Sequence, residues 1–241
     1  MKSYFNIKAV ILLFLILLAS PVLVAQSDSD KTNSIVSQML TAMGGIENYN
    51  NTRFIQWEFG KRKMYWDKWT GDVRIESTED NQCILMNINT LKGKAYANGH
   101  LVENEVNTKK LLNQAKNWWI NDSYWLVMPW KLHDPGVTLK YVKTAKLPDG
   151  KMADILEMTF NAVGVTPNNK YWVYVDQEDH LLKQWSFFKN FNDNEPQFTK
   201  AWDNYQKTGM ILLSFDRSKG AGGPKNVVVN TTVDSAIFTK L

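Results

Sequence analysis

The chain has 241 residues, of which 28 are Lys or Arg, 24 are Asp or Glu, ten are Trp and one is Cys. Without residues 1–25, which contain two lysines and no acidic residue, 26 basic and 24 acidic side chains remain, and this balance argues against a nucleic-acid binder. A single Cys excludes an internal disulfide framework and a four-thiolate zinc site.

The amino terminus has the composition of a secretory signal peptide. Two lysines precede an unbroken apolar stretch from residue 9 to residue 19, and a proline and the small residue Ala25 follow it. The stretch is 11 residues long, whereas a membrane-spanning helix needs about 20. We therefore expect residues 1–25 to be removed, which makes the protein periplasmic or secreted, with residues 26–241 forming one domain.

A short amphipathic helix is predicted after a polar tail. Ile35 and Met39 recur at helical spacing, and Gly44 and the glycine after it end the pattern. Asp30 or Thr32 would cap the first turn, because a short side-chain oxygen accepts hydrogen bonds from its free amides.

The rest of the chain is dominated by short strands. Between residues 53 and 98 and again between 137 and 241, apolar and polar residues alternate over short segments, with Gly or Asn at joints spaced by about ten residues. The pair Asn98-Gly99 is typical of a primed hairpin turn. This pattern predicts an antiparallel meander of about eleven strands, the last of them at 236–241.

Helical structure interrupts the meander once. Residues 107–119 carry apolar side chains on one helical face, which predicts a helix. Asp122 or Ser123 would cap a second, short helix that Pro129 ends.

Several strands place aromatic side chains on both faces. Tyr171 and Val173 alternate with Trp172 and Tyr174, whereas a half-exposed strand alternates apolar with charged residues. Both faces must therefore be covered. We predict a mainly β, α+β fold in which a strongly curved antiparallel sheet forms a half-open β-barrel of about 11 strands, with two or three helices covering its concave face. The rings either line a cavity there or fill a protein core.

The sequence contains no recognisable catalytic motif. Its three histidines follow turn signals, and no zinc-binding spacing, nucleophile elbow or phosphate-binding loop is present. We expect a protein without enzymatic activity, cofactor or metal. Asp67, Asp122 and Asp203 lie near aromatic residues, which keeps an envelope glycan-binding protein or glycoside hydrolase as an alternative. A structural partner in an envelope complex is a further alternative.

Four stretches resemble recurring segments of an uncharacterised family of exported bacterial proteins: 65–72 (YWDKWTGD), 119–125 (WINDSYW), 164–167 (GVTP) and 202–205 (WDNY). The order of elements is also distantly similar to the periplasmic lipoprotein-carrier (LolA-like) superfamily of Gram-negative bacteria. In those carriers a curved sheet forms an unclosed barrel, helices cover its apolar face, and acyl chains enter between them.

The resemblance implies a periplasmic, lipid or lipoprotein carrier-like protein that encloses an apolar or lipidated ligand. Its partners would be a lipid or an acylated protein, with transient contacts to envelope membrane proteins, and it would be a monomer that does not bind nucleic acid. The candidates for the cavity wall are Trp57, Trp66, Trp119, Tyr124, Trp125, Met128 and Trp172.

Overall fold

The computed structural model describes residues 27–161, 168–217, 222–230 and 232–241, so the predicted signal peptide lies outside the described part. The helices there are α1 (Asp28–Ala42), α2 (Ile46–Asn51) and α3 (Glu105–Val127), with 3₁₀ turns at Met128–Lys131 and Ser235–Phe238. The strands are β1 (Phe54–Phe59), β2 (Arg62–Asp67), β3 (Asp72–Ser77), β4 (Gln82–Asn87), β5 (Gly93–Ala97), β6 (His100–Leu101), β7 (Val137–Lys146), β8 (Met152–Phe160), β9 (Lys170–Asp176), β10 (Leu182–Phe188), β11 (Phe198–Ala201), β12 (Asp203–Thr208), β13 (Ile211–Asp216) and β14 (Lys225–Asn230).

The described strands form three antiparallel sheets. Sheet A has the order β14-β1-β2-β3-β4-β5-β6, sheet B has the order β11-β10-β9-β8-β7, and β12 pairs with β13 in a separate hairpin. Each half of the chain is thus a meander of sequential neighbours, except that β14 returns to pair with β1. The predicted turn at Asn98-Gly99 is confirmed, because both residues have positive φ, 52° and 79°.

The mainly β, antiparallel α+β class is confirmed, but the half-open barrel is wrong. None of the described sheets is closed or strongly curled, and 14 strands are divided among three sheets. The physical reason lies in α3, whose 23 residues carry the chain over about 35 Å. The strands after it therefore start a new sheet instead of extending sheet A from β6, which has only two residues.

The helical insert is one helix followed by a 3₁₀ turn, and not two helices. Asn104 caps α3, since its side-chain oxygen accepts from the amide of Asn107 at 3.0 Å. Asp122 and Ser123, predicted as caps, are buried inside the helix. Pro129 lies in the turn that follows α3, where the prediction placed the end of the helix.

Two boundaries outside the insert also differ from the prediction. Helix α1 is capped by Ser27, whose Oγ accepts from the amide of Asp30, so that neither Asp30 nor Thr32 is the cap. The segment predicted as a last strand forms the 3₁₀ turn Ser235–Phe238. Phe238 stacks on Phe54 at 6.4 Å between ring centres and so covers part of β1.

Helix α3 lies between sheets A and B and supplies aromatic side chains to both. On the sheet A side, Trp119 packs edge to face on Trp66 with ring centres 5.2 Å apart. On the sheet B side, Trp125 contacts Trp185 at 4.9 Å. Aromatic pairs of this kind contribute about 0.5–1.5 kcal/mol beyond their area burial. Both sheets therefore pack on the same helix, whose aromatic side chains form part of one shared core.

The β12–β13 hairpin joins the same core through a buried cation. Trp125 stacks on Trp202 at 6.1 Å, and the guanidinium carbon of Arg217 lies 3.5 Å from the centre of the Trp202 ring. Arg217 also donates to the backbone carbonyl of Trp125. Burial lowers the pKa of Arg217 to about 9.

A buried ion pair fixes α3 on sheet A. Asp122 is fully buried, and its two carboxylate oxygens accept from Nε and Nη2 of Arg62, on β2, at 2.7 and 2.9 Å. The guanidinium also lies 5.4 Å from the centre of the Trp118 ring. Such paired contacts set the orientation of the two groups as well as their distance.

We expect Arg62→Met to lower the free energy of unfolding by about 3 kcal/mol, because it leaves the buried carboxylate of Asp122 unpaired. Lys183→Met removes the surface pair with Asp179, whose atoms are 2.5 Å apart, and we expect it to cost less than about 1 kcal/mol. Urea unfolding of both variants measures the difference. Equal losses would show that the Arg62–Asp122 pair does not hold α3 in place.

Candidate functional site

An apolar pocket of about 260 Å³ lies where α3 ends against the first residues of β7 and the last residues of β8. Most of its wall is aromatic or aliphatic, and its charged members are one lysine and one aspartate. The lining residues are Trp119, Ile120, Ser123, Tyr124, Met128, Lys131, Asp134, Pro135, Val137, Met158 and Phe160.

The pocket forms because α3 ends beside β7 and β8 of sheet B. Ile120, Tyr124 and Met128 follow one another at a spacing of four residues, so they lie along one face of the helix. Pro129 cannot continue that helix. The chain then reverses through Gly136, which has a φ of 88°, and starts β7 beside the helix end.

A larger depression of about 700 Å³ lies between β5, β6 and the first turns of α3. Charged residues including Lys94, Glu103 and Lys109 surround its apolar part, and none of the described residues that line it is aromatic. It is also more open to solvent than the smaller pocket. We therefore take the smaller pocket as the candidate site.

Three of the seven predicted wall residues line this pocket, namely Trp119, Tyr124 and Met128. Tyr124 contacts Tyr171 at 5.9 Å, and its hydroxyl accepts from Nε1 of Trp185 at 3.4 Å. Burial raises the pKa of the Tyr124 hydroxyl well above its ordinary value, so this side chain is neutral.

Trp57 and Trp66 lie behind the wall and do not line the pocket. Both are buried in sheet A, and Trp57 meets Trp66 at 6.4 Å while Trp66 meets Trp119 at 5.2 Å, each edge to face. The indole N–H groups of all three rings have no hydrogen-bond acceptor. Edge-to-face stacking brings the positive ring edges toward neighbouring π faces, which compensates in part for the missing acceptors.

Trp125 and Trp172 are placed elsewhere. Trp125 packs between Trp185 and Trp202, in the core shared with the β12–β13 hairpin. Trp172 lies on the face of sheet B that points away from α3, and its Nε1 donates to Glu157 at 3.2 Å. Successive strand residues point to opposite faces, so the burial of Tyr171 toward α3 turns Trp172 outward.

Sequence reasoning missed the sheet B side of the pocket. Met158 and Phe160 alternate on β8, and Val137 pairs with Phe160 at the start of β7. The alternation of Leu156, Met158 and Phe160 is visible in the sequence. The pairing of β8 with β7 beside the end of α3 depends on tertiary packing, and no local pattern contains it.

A cluster of two lysines and two aromatic rings adjoins the pocket. Lys68 donates to the backbone carbonyl of Tyr49 and lies 3.4 Å from the centre of its ring. Tyr49 stacks on Trp130 at 4.8 Å with the ring planes 5° apart, and the next residue is the pocket residue Lys131. Burial, together with the charge of Lys131, lowers the pKa of Lys68 to about 8.

The aspartates considered for hydrolysis have structural partners or lie at the surface. Asp67 accepts from Arg53 at 2.8 Å and from the amide of Trp69 at 3.0 Å, and these hydrogen bonds lower its pKa despite its burial. Asp122 is held by Arg62, as described above. Asp203 is exposed on β12.

Within the described residues, no group of three or more His, Cys, Asp or Glu side chains comes together as a metal site. The described helices include none that is long and apolar enough to cross a membrane.

No protein-family model matches this chain, and no curated protein is similar to it in sequence. Its structure is similar to the crystal structure of a DUF1329 family protein from Desulfovibrio piger ATCC 29098. The TM-score is 0.43 and the sequence identity 9%, over 86% of this chain and 96% of that chain. Similarity at this level does not transfer a function.

We expect Lys68 to lose its proton near pH 8 in an NMR titration of its side chain. Replacing Lys131 by Met should raise this pKa, because a neighbouring positive charge disfavours the ammonium form. The pKa of folded Lys68 lies below its unfolded value of 10.5. Deprotonation therefore adds to stability as the pH rises from about 8 to about 10.5.

A Lys68→Arg variant assigns the resonance. Lys151 is the internal control, because its hydrogen bond to Glu178 raises its pKa and keeps it charged through the same range. A Lys68 titration near 10.5, or one that does not respond to Lys131→Met, would contradict the described placement of the two ammonium groups.

Proposed function

We propose that this protein is a non-enzymatic binding protein of the bacterial envelope that encloses an apolar or lipidated ligand, as a lipid or lipoprotein carrier would. In this proposal the mature chain is periplasmic or secreted, with cleavage near Ala25. It binds a lipid or an acylated protein as a monomer and contacts envelope membrane proteins transiently. The observation that carries the proposal is the apolar pocket at the end of α3.

The chemistry of the wall supports this ligand class. Trp119, Met128 and Phe160 present aromatic and thioether groups, and Met adapts its shape to ligands of irregular outline. An apolar cavity of about 150 Å³ holds benzene, which implies roughly 25 Å³ per carbon atom, so 260 Å³ accommodates about ten carbon atoms. At about 0.8 kcal/mol for each buried CH₂, such a chain contributes roughly 8 kcal/mol before ordering costs.

The aspartates support binding more than hydrolysis. A glycosidase needs two carboxyl groups free to act on one bond. Two of the three aspartates considered for that role, Asp67 and Asp122, each accept paired hydrogen bonds from an arginine. Both carboxylates are engaged in ion pairs with arginines that stabilise the fold. This favours a binding protein over a hydrolase.

The methionine methyl groups provide a direct test. Met128 and Met158 line the pocket, whereas Met152 and Met210 are 38% and 62% exposed elsewhere. With methyl-labelled methionine, we expect 1-octanol to shift the signals of Met128 and Met158 in a saturable manner. The two exposed methyl groups should stay unchanged.

Filling the pocket should abolish this response. Val137→Phe adds a ring to the pocket wall at the first residue of β7. We expect it to weaken octanol binding by at least about tenfold, since the added ring occupies volume that the ligand needs. Val228→Phe is the matched control, because Val228 is 40% exposed on β14. Saturable shifts that persist in Val137→Phe, or their absence in the unmodified protein, would contradict binding in this pocket.

A further inference from the structure

We propose that the ligand of this pocket is a single-chain amphiphile with an anionic head group, which binds Lys131 and Lys68 while its apolar chain enters between α3 and β8. This inference rests on the proposed function, because it names the class of ligand that the same pocket takes. It is carried by the pocket together with the cluster of lysines and stacked rings at its edge.

The charged part of the wall lies at the mouth of the pocket. Lys131 and Asp134 are ion-paired, and their side chains are 41% and 42% exposed. The lysine ammonium has three N–H donors, and Asp134 accepts from one of them. The pair therefore leaves donors at the mouth for a head group that arrives from solvent.

Lys68 adds a second cation beside this pair. Its ammonium contacts the ring and the backbone carbonyl of Tyr49, and within the described residues it has no carboxylate partner. Tyr49 is stacked on Trp130, which directly precedes Lys131. The stack therefore places Lys68 beside the segment that carries Lys131, whose positive charge lowers the pKa of Lys68. The cluster at the edge of the pocket thus contains two lysines and one aspartate, Asp134.

The excess of positive charge at the edge of the pocket favours an anionic head group. A carboxylate or phosphate oxygen accepts charge-assisted hydrogen bonds from both ammonium groups, and such bonds are about twice as strong as neutral ones. A cationic head would meet two like charges, and a neutral head would gain only ordinary hydrogen bonds. The partly desolvated position of Lys68 increases the gain from an incoming anion, because Coulomb interactions strengthen as water is excluded.

The volume of the pocket limits the ligand to one chain. A cavity of 260 Å³ corresponds to about ten carbon atoms by the comparison with benzene. One medium-length acyl chain fits inside it, and the two long chains of a phospholipid do not. The pocket therefore fits a free single-chain anion, such as a fatty-acid carboxylate or an alkyl phosphate, with its head group at the surface.

The test compares octanoate, octyl phosphate, 1-octanol and octyltrimethylammonium by the methyl shifts of Met128 and Met158 near neutral pH. We expect octanoate to bind about tenfold more tightly than octanol, as expected for charge-assisted hydrogen bonds. High ionic strength should weaken the binding of octanoate and octyl phosphate but not that of octanol. Octyltrimethylammonium should bind less tightly than octanol. Tighter binding of octyl phosphate than of octanoate would identify the anion as a phosphate rather than a carboxylate.

Substitutions separate the head-group contact from the pocket. Lys131→Met and Lys131→Gln should each weaken octanoate binding by about tenfold and octanol binding by clearly less, because octanol loses only an ordinary hydrogen bond. Lys68→Met should act in the same direction. Lys143→Met is the control, because Lys143 lies 5.5 Å from the ring of Trp172 on the far face of sheet B. It should change neither ligand.

The outcomes distinguish the two proposals. Equal affinity for octanoate and octanol, or octanoate binding that is unaffected by both Lys131 variants, would overturn the anionic head group while leaving the apolar site in place. If neither ligand shifts Met128 and Met158, the proposed function fails together with this inference.

Discussion

The aromatic side chains of α3 must be buried on two sides of one helix, and the rest of the structure depends on this constraint. Trp119 packs on Trp66 of sheet A, whereas Trp125 packs on Trp185 of sheet B and also on Phe59 of sheet A. A single sheet covers only one face of a helix. Sheet A, on which the Arg62–Asp122 pair fixes the helix, and sheet B together bury these rings.

The pocket is a consequence of the same arrangement. The buried face of α3 packs on protein side chains of the two sheets and the hairpin. At its carboxyl end, Pro129 stops the helix while β7 and β8 continue beside it. The space left between them is apolar because the surrounding surfaces are those of the core, and it opens to solvent where the polar turn with Lys131 and Asp134 begins.

Local features of the fold could be predicted from the sequence, and the arrangement of the sheets could not. Alternation in β9 indicated rings on both faces, and the structure has Tyr171 toward α3 and Trp172 away from it. Alternation alone does not say which of these faces meets the core, so it does not distinguish Tyr171 from Trp172 as a wall residue. The prediction of a curved barrel assumes that all strands share one sheet. In the structure the strands after α3 pair in a new sheet, because this long helix carries the chain away from the edge of sheet A. For the site, the residues on α3 were within reach of sequence analysis, and those on β7 and β8 were not.

Native-state hydrogen exchange tests the central claim that α3 is the shared core of both sheets. The account predicts that the amides of Leu126, of β2 in sheet A and of β9 in sheet B exchange with the same free energy of opening and the same denaturant dependence, since loss of α3 exposes both sheets at once. A sheet that opens well before α3, or two sheets that open at separate free energies, would contradict it.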